Sequence, residues 1–444
     1  SNLTTKEVED RRIGGSPIEQ STRYVVYDQK DGQGRWRYLR PKEISESAVK
    51  KEYERIMDEL FETYASLVEP MQEFYRKLKP IEETEYDVVG TGAKRHRSDL
   101  KDEKDLKAFD YTYKRDIRTK TCDTIRILLP AATLTNVGLF GNGRFYQNLL
   151  SHLYTYPMSE MQDIAKLGHA ALNQVIPAFV KRARRNEYLA AARAEMQELA
   201  DKLLEKMAPA KTESVALAAS GEWDFFHLTL AQMLYPYARH PLAQLYKLVV
   251  ELPQEMKDFL LATYVNRRKT RRDRPDRALE AGYPLTFDLV GDFGIYRDLQ
   301  RHRMLTQQRQ LLNPHLGFEH NADLEIAGFR DTVDAVREKA EYLYEKLRSA
   351  CGRHVAQYTV LMGHRMRWTM GMNLREAEHM CELRTTPQGH PTYRKMCQEM
   401  ARQTLKKYPW AKEMLKFVDY NNYQWARADS EAKQRQKERK LEES

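Results

Sequence analysis

Two stretches of the chain repeat one plan, and such a repeat points to two related units that bury their faces against each other. Arg126, just before Leu129-Pro130, precedes Asn142 in "NGR" by the same interval that separates Gln357 from Asn373 in "NLR". Each Asn-x-Arg leads into a helical pattern and then a proline-marked bend. The prolines, Pro177 in "IPAFVKRA" and Pro409 in "YPWAKEML", follow their Asn at nearly matching intervals. The ordered set predicts an ancient duplication and a fold class: α+β, predominantly helical, with two tandem units forming a pseudo-dimer. The first unit is expected at 1–207, a linker "APAKTES" at 208–214, the second unit at 215–427 and a charged tail at 428–444.

Local patterns fill in the units. "TRYVVYD" and "RWRYLRP", either side of the turn Asp31–Gly34, read as a β-hairpin. Ile56, Leu60, Tyr64 and Leu67 recur at helical spacing, which predicts a helix from Ser45 to about Leu78, stopped by Pro80. Residues 81–108, including "AKRHRSD", read as a charged loop, with helix returning over 113–129. In the second unit helices are expected over 222–270, interrupted by Pro236, Pro241 and Pro253. A basic run at 266–277 then precedes the apolar alternation "YPLTFDLVGDFGIY".

With 41% hydrophobic and 31% charged residues, the composition suits a soluble, helix-rich protein rather than a disordered one. No apolar run is long enough for a membrane span, and "SNLTTKEVEDRR" lacks the apolar centre of a secretory signal. Cys122, Cys351, Cys381 and Cys397 form no CxxC, so buried reduced thiols in a cytoplasmic protein are expected. The net charge of +9 favours anionic partners, either phosphorylated small molecules or nucleic acid. Basic and aromatic residues do not interleave as in a single-strand binder, which makes nucleic acid the weaker choice.

Several catalytic signatures are missing. There is no GxxxxGK[ST], HExxH, GxSxG or Pro-Cys pair, and "GTGAKR" at 90–95 lacks the third glycine of a dinucleotide fingerprint. What remains is rich in arginine, which grips phosphate but serves as neither base nor nucleophile. The chemistry is therefore expected to come from a cofactor or substrate.

Three elements fit that expectation, although each alone also reads as an ordinary surface segment. In "YRDLQRHRMLTQQRQ" (296–310), Arg301, His302 and Arg303 on a helix would fan over about 200°. In "MNLREAEHMCELR" (372–384), Asn373, Arg375, His379 and Arg384 span about three helical turns. In "SPIEQSTRY" (16–24), Glu19, Gln20, Ser21, Thr22 and Arg23 gather hydroxyls, backbone donors and a guanidinium suited to a phosphate and a ribose.

Together these elements resemble the flavin-dependent thymidylate synthase family. Its signature RHRxxSxNExSxR is followed by an AR…LP segment, an Asn-x-Arg and a helix ending in a catalytic Arg. "RHRMLT" (301–306) is similar to the signature's opening, and "NLREAEHMCELR" to the Asn-x-Arg helix, with Arg384 at the catalytic position. In the first unit "IEQSTRY" (18–24) is similar to the closing NExSxRY. "TIRILLP" (124–130) resembles the AR…LP segment, and "NGRFYQN" (142–148) the Asn-x-Arg segment. The resemblance covers most of the chain.

The departures are complementary. Arg309, Leu311 and Asn313 stand where the signature has Glu, Ser and Arg, and Gln357 stands for the nucleotide-binding Arg. The first unit keeps Glu19, Ser21, Arg23 and Arg126. It has "SHLYTYP" (151–157) at the catalytic position and only Arg11-Arg12-Ile13 for the opening. The strands that the family carries before that opening are expected upstream of residue 1.

The resemblance thus implies one composite site. Glu19, Gln20, Ser21, Thr22, Arg23, Arg126 and Arg384 would bind the substrate, and Arg384 would be catalytic. Arg301, His302, Arg303, Asn373, Arg375, His379, Asn142, Arg144 and Asn148 would bind cofactor. The implied reaction is C5 methylation of deoxyuridylate (dUMP), with methylenetetrahydrofolate as carbon donor and NADPH reducing FAD; no metal takes part. The implied assembly is a homodimer of four units, bound to neither membrane nor nucleic acid. Two alternatives stay open: flavin chemistry at C5 of another pyrimidine nucleotide, and a non-catalytic nucleotide- or flavin-binding scaffold.

Overall fold

The computed structural model describes residues 1–10, 13–219, 221–265, 267–269, 275–413, 415–423 and 425. The tail 428–444, Arg11-Arg12 and residues 266 and 270–274 of the basic run lie outside the described residues. Ser1 caps the first helix, α1 (Asn2–Glu9), by accepting the Thr4 amide, and strand β1 (Gly15–Glu19) follows. Helix α2 (Lys50–Leu78) buries Tyr53, Ile56, Leu60, Tyr64, Leu67, Met71 and Tyr75 along one stripe. Each such side chain contributes roughly 1.5–3 kcal/mol of burial free energy. Helix α3 (Glu103–Ile125) begins well before the expected 113. Asp102 caps it by accepting the Lys104 amide at 2.7 Å, and Glu103 and Asp105 favour its first turn. Strand β2 (Val137–Gly141) and helices α4 (Gly143–Thr155) and α5 (Ser159–Asn173) complete this part.

The expected hairpin at 22–40 does not form. Its turn exists, with the Asp31 amide bonded to the Arg35 carbonyl at 2.8 Å, but its flanks do not pair. Tyr27, Trp36 and Tyr38 instead turn their rings onto Phe61 of α2. The Leu39 amide bonds to Ala132, and Tyr38 bridges to Thr133. Aromatic burial against a long helix wins over a two-stranded ribbon, which is marginal alone.

Next come α6 (Glu187–Leu204), β3 (Val215–Ala219), α7 (Phe225–Leu234), α8 (Leu242–Glu251) and α9 (Gln254–Val265). Met196, Leu230, Leu234, Leu242, Leu245 and Leu260 from these helices form a second core. The rest is β4 (Leu285–Asp292), α10 (Phe293–Leu299), β5 (Leu305–Arg309), α11 (Arg330–Cys351), β6 (Arg365–Met372), α12 (Leu374–Arg384) and α13 (Pro391–Lys407). An antiparallel sheet runs in the order β3-β4-β6-β5, and β1 pairs with β2 alone. Every residue of β4 is buried, because both faces of this central strand are covered. Buried Asp288 of β4 ties the second core to the sheet. It accepts from Tyr235 Oη (2.8 Å), the Leu242 amide (2.8 Å) and Arg367 Nη1 (2.9 Å).

The repeat has a structural form. Pro130 and Leu361, one from each half of the chain, bridge to each other. Around them the bonds are reciprocal. Ala131 donates to Val360 (2.8 Å) and Met362 to Leu129 (2.8 Å); Ala132 donates to Tyr358 (2.9 Å) and Gly363 to Ile127 (3.0 Å). Asn142 caps α4 through the Phe145 amide, and Asn373, its counterpart in the repeat, caps α12 through the Glu376 amide. In the strands Glu19 pairs with Val137 and Arg309 with Trp368, so Glu19 and Arg309 occupy matching places. The four cysteines are free thiols, three of them buried. Among the described residues no helix is long and apolar enough to cross a membrane.

Candidate functional site

Helix α10 ends at Leu299, so Arg301, His302 and Arg303 do not share a helix as expected. They occupy the turn into β5, because Gln300 closes the helix and its side chain bonds to Glu9 of α1 (2.5 Å). The three side chains still diverge. Exposed Arg301 pairs with Asp298. Arg303 donates to Ser16 Oγ in β1 (2.8 Å). His302 turns inward: its Nδ1 lies 2.8 Å from Glu376 Oε1, and its Nε2 accepts from Arg384 Nε at 3.0 Å. Burial lowers the His302 pKa, Glu376 opposes that and Arg384 reinforces it, so the ring is neutral near neutral pH. His379 of α12 lies with its ring centre 5.4 Å from that of His302.

The first half meets this corner directly. Arg23 is buried in the turn after β1 and forms a two-pronged pair with Asp123 of α3, both bonds at 2.5 Å. Burial opposes the Asp123 charge, but Arg23 outweighs it and holds the carboxyl well below the usual range. Glu19 pairs with buried Arg297 of α10 and accepts from Thr5 Oγ1 (3.2 Å). Asp298 reports the convergence. Burial raises its carboxyl, yet Arg301, Arg23, Arg126 and Arg384 together hold it below the ordinary value. Two of these arginines come from each half of the chain. Arg126 is 4% exposed, and its Nη2 is buried without a hydrogen-bond partner among the described residues. Beside it, burial pushes Asp292 up to about 6 against the pull of Arg126.

Other expected residues stand apart from this cluster or serve locally. Ser21 Oγ accepts the Arg23 amide (3.3 Å), Thr22 is buried, and Gln20 bonds outward to Asn136 (2.9 Å). Asn142 is a helix cap, Arg144 bonds to Gln147 in its own helix (2.9 Å), and Asn148 is exposed. Arg375 is exposed at the start of α12. The structure adds Asp123, Arg297, Asp298 and Glu376, which the motif reading passed over. Asp123 stands three positions before Arg126 and Glu376 three after Asn373, spacings that place each pair on one helical side. Arg297 and Asp298 lie inside the "YRDLQRHR" stretch itself.

A cavity of about 110 Å³ opens beside the Arg23–Asp123 pair, walled by Lys120, Thr124, His390 and Trp425. A larger groove of about 620 Å³, against Lys30, Arg37, Gln72 and Arg118, holds none of the residues above. Among the described residues no group of three His, Cys, Asp or Glu side chains is placed to hold a metal.

Comparisons with known proteins agree with the motifs. The family described as "Thymidylate synthase complementing protein" matches residues 1–178 and 267–410. The gap between the two segments contains α6–α9, the helices of the second core. The UPF0159 protein of Chlamydia muridarum is 34% identical over 98% of this chain and 79% of its own length. That of Chlamydia pneumoniae is 35% identical over 97% and 78%, and that of Thermoplasma acidophilum 30% over 98% and 86%. The family match covers well over half of the chain and falls on the segments that carry the resemblance. The chain therefore belongs to the thymidylate synthase complementing protein family.

Proposed function

We propose that the protein is a flavin-dependent thymidylate synthase-like enzyme that methylates dUMP at C5 to give dTMP. Methylenetetrahydrofolate would supply the carbon and NADPH the electrons through FAD. One observation carries this reading: the family match covers the segments that hold Arg23 and Arg126 in the first half and Arg301 and Arg384 in the second, and these halves meet through Arg303 and Ser16 Oγ (2.8 Å) and through Arg297 and Glu19. The reciprocal bonds around Pro130 and Leu361 support a tandem pseudo-dimer as the reason the halves meet there. A dimer of such chains would give four units.

The residues present fit anionic ligands. Arg126 has a buried Nη2 with no partner among the described residues, a donor free to meet an anion. Arg301, Arg303, Arg375 and His379 offer further donors and would hold the flavin's diphosphate. When bound, the reduced flavin supplies hydride to the transferred carbon. The chain's own residues do the rest. Asp123 fixes the plane of Arg23, whose Nη1 is not part of their fork and can meet a phosphate oxygen. Arg384 directs its terminal nitrogens at the uracil edge and offsets charge developing there. The Glu19–Arg297 pair holds the turn over residues 19–23 against α10.

A non-catalytic scaffold is favoured by one fact, that Arg23 and Glu19 are already engaged by Asp123 and Arg297. The visible spectrum of the purified protein, followed through a dUMP titration, separates the two. Bound flavin whose spectrum shifts with dUMP, followed by turnover, supports the enzyme. Protein that takes up no added FAD contradicts it.

A further inference from the structure

The orientation of Arg384 depends on a residue two steps away. Its Nε donates to His302 Nε2 at 3.0 Å, and that nitrogen can accept only if the ring proton sits on Nδ1. Glu376 Oε1 stands 2.8 Å from Nδ1 and receives that proton's bond. The side chains of His302 and Glu376 are 2% and 6% exposed, so water does not compete for either bond. Glu376 is itself fixed, since Asn373 caps α12 by accepting its amide (3.0 Å). Glu376 lies in the first turn of α12 and Arg384 at its end, with His302 spanning between them.

We propose that Glu376 is a positioning residue that sets the direction of the Arg384 guanidinium through His302. The role rests on the functional reading above. With Nδ1–H committed to Glu376, Nε2 is a fixed acceptor. A guanidinium held by Nε then presents both terminal nitrogens in one direction, and no ordering is left to the moment of binding. The titratable and charged groups facing His302 are Glu376, His379 and Arg384 from α12; Arg301 and Asp298, just before it, pair with each other. Protonation of His302 turns Nε2 into a donor opposed to Arg384 Nε–H, so the alignment is lost as pH falls. The Glu376 carboxylate favours the charged ring, and a neutral amide in its place moves ring protonation to lower pH.

The test combines ¹⁵N-histidine NMR of the whole, ligand-free chain with pH profiles of dUMP turnover. Wild type is compared with Glu376→Gln and Glu376→Asp, and His302→Asn assigns the signal. The expected wild-type His302 is the Nδ1–H tautomer. Glu376→Gln is expected to mix the tautomers, lower kcat about tenfold with KM within about twofold, and shift the acid limb of kcat to lower pH. Glu376→Asp should recover part of kcat. A wild-type Nε2–H tautomer overturns the proposal. So does a Glu376→Gln protein that keeps the wild-type tautomer, or one that loses activity while its acid limb stays in place. A wild type with the expected tautomer but no nucleotide turnover overturns the functional reading, and with it the use assigned to Glu376.

Discussion

At one corner of the molecule Arg23, Arg126 and Arg384 converge on Asp298, with Arg384 bonded to His302; at the matching places of the other half stand Asn313, Gln357 and Leu153. Both corners carry a helix capped by the matching asparagine, Asn142 in one and Asn373 in the other. The polar groups differ in what they leave open. Asn313 bonds to the Leu311 carbonyl (3.0 Å) and the His315 amide (3.1 Å). Gln357 bonds to the His354 carbonyl (3.1 Å) and the Leu312 amide (3.1 Å). Both amides are satisfied by their own neighbourhood, whereas Arg126 keeps a buried donor without a partner among the described residues. Even the ion pair at the strand end is reversed: Glu19 meets Arg297 at one corner, and Arg309 meets Glu7 at the other. Glu376, which holds His302, is matched by Phe145, packed under Gly15 and Gly141. The two frames thus differ in side chains: arginines stand at one corner where amides and a leucine stand at the other.

The sharpest break of this comparison is Arg384→Ala. It should lower kcat by about 10²–10³, in line with losing one aligned donor to developing charge. Leu153→Met, at the counterpart position, should leave kcat within about twofold; steady-state kinetics on both decides. Next, Arg23→Ala leaves the half-buried Asp123 without its cation and should cost about 2–4 kcal/mol in denaturant unfolding, together with dUMP binding. Asn313→Ala should cost no more than about 1–2 kcal/mol and leave binding intact. At the second corner, Arg309→Leu should destabilise by about 3–5 kcal/mol without changing dUMP affinity in a titration. A change in affinity there would mean that the second corner also binds.

How much of this was legible in the chain depends on the range of the interaction. The helix starts after the two Asn-x-Arg segments were readable because the pattern and its helix are neighbours; that both asparagines are caps is what the structure adds. The interval from Asn142 to Asn373 is also the interval from Pro130 to Leu361, and those two residues bridge. The "RHR" triplet was set on a helix, but it lies in the turn after one. The helix before it stops at Leu299 in part because Gln300 reaches Glu9, a contact made across most of the chain. Tyr27, Trp36 and Tyr38 alternate like a hairpin, yet their rings are claimed by α2. Asp123 with Arg23, and Glu376 with His302, are pairs that only tertiary folding creates. Their spacings to Arg126 and Asn373 are local marks, but neither spacing names the partner that folding supplies.

A further expected effect concerns Asp292 at the head of α10. Its folded pKa of about 6 exceeds the ordinary carboxylate value near 4. Folding therefore takes up a proton between about pH 4 and pH 6, and stability falls as pH rises through that window. Asp292→Asn keeps the cap to the Ile295 amide and should flatten that slope, a gain of about 1–3 kcal/mol at neutral pH. Unfolding curves at pH 4, 5, 6 and 7 check it.

The central claim is one composite nucleotide site per chain, with its groups drawn from both halves. Calorimetric titration of flavin-loaded protein with dUMP counts it directly. The account predicts one dUMP per chain, abolished by Arg23→Ala from the first half and weakened by Arg384→Ala from the second. Two dUMP per chain, or binding that survives both substitutions, would contradict it.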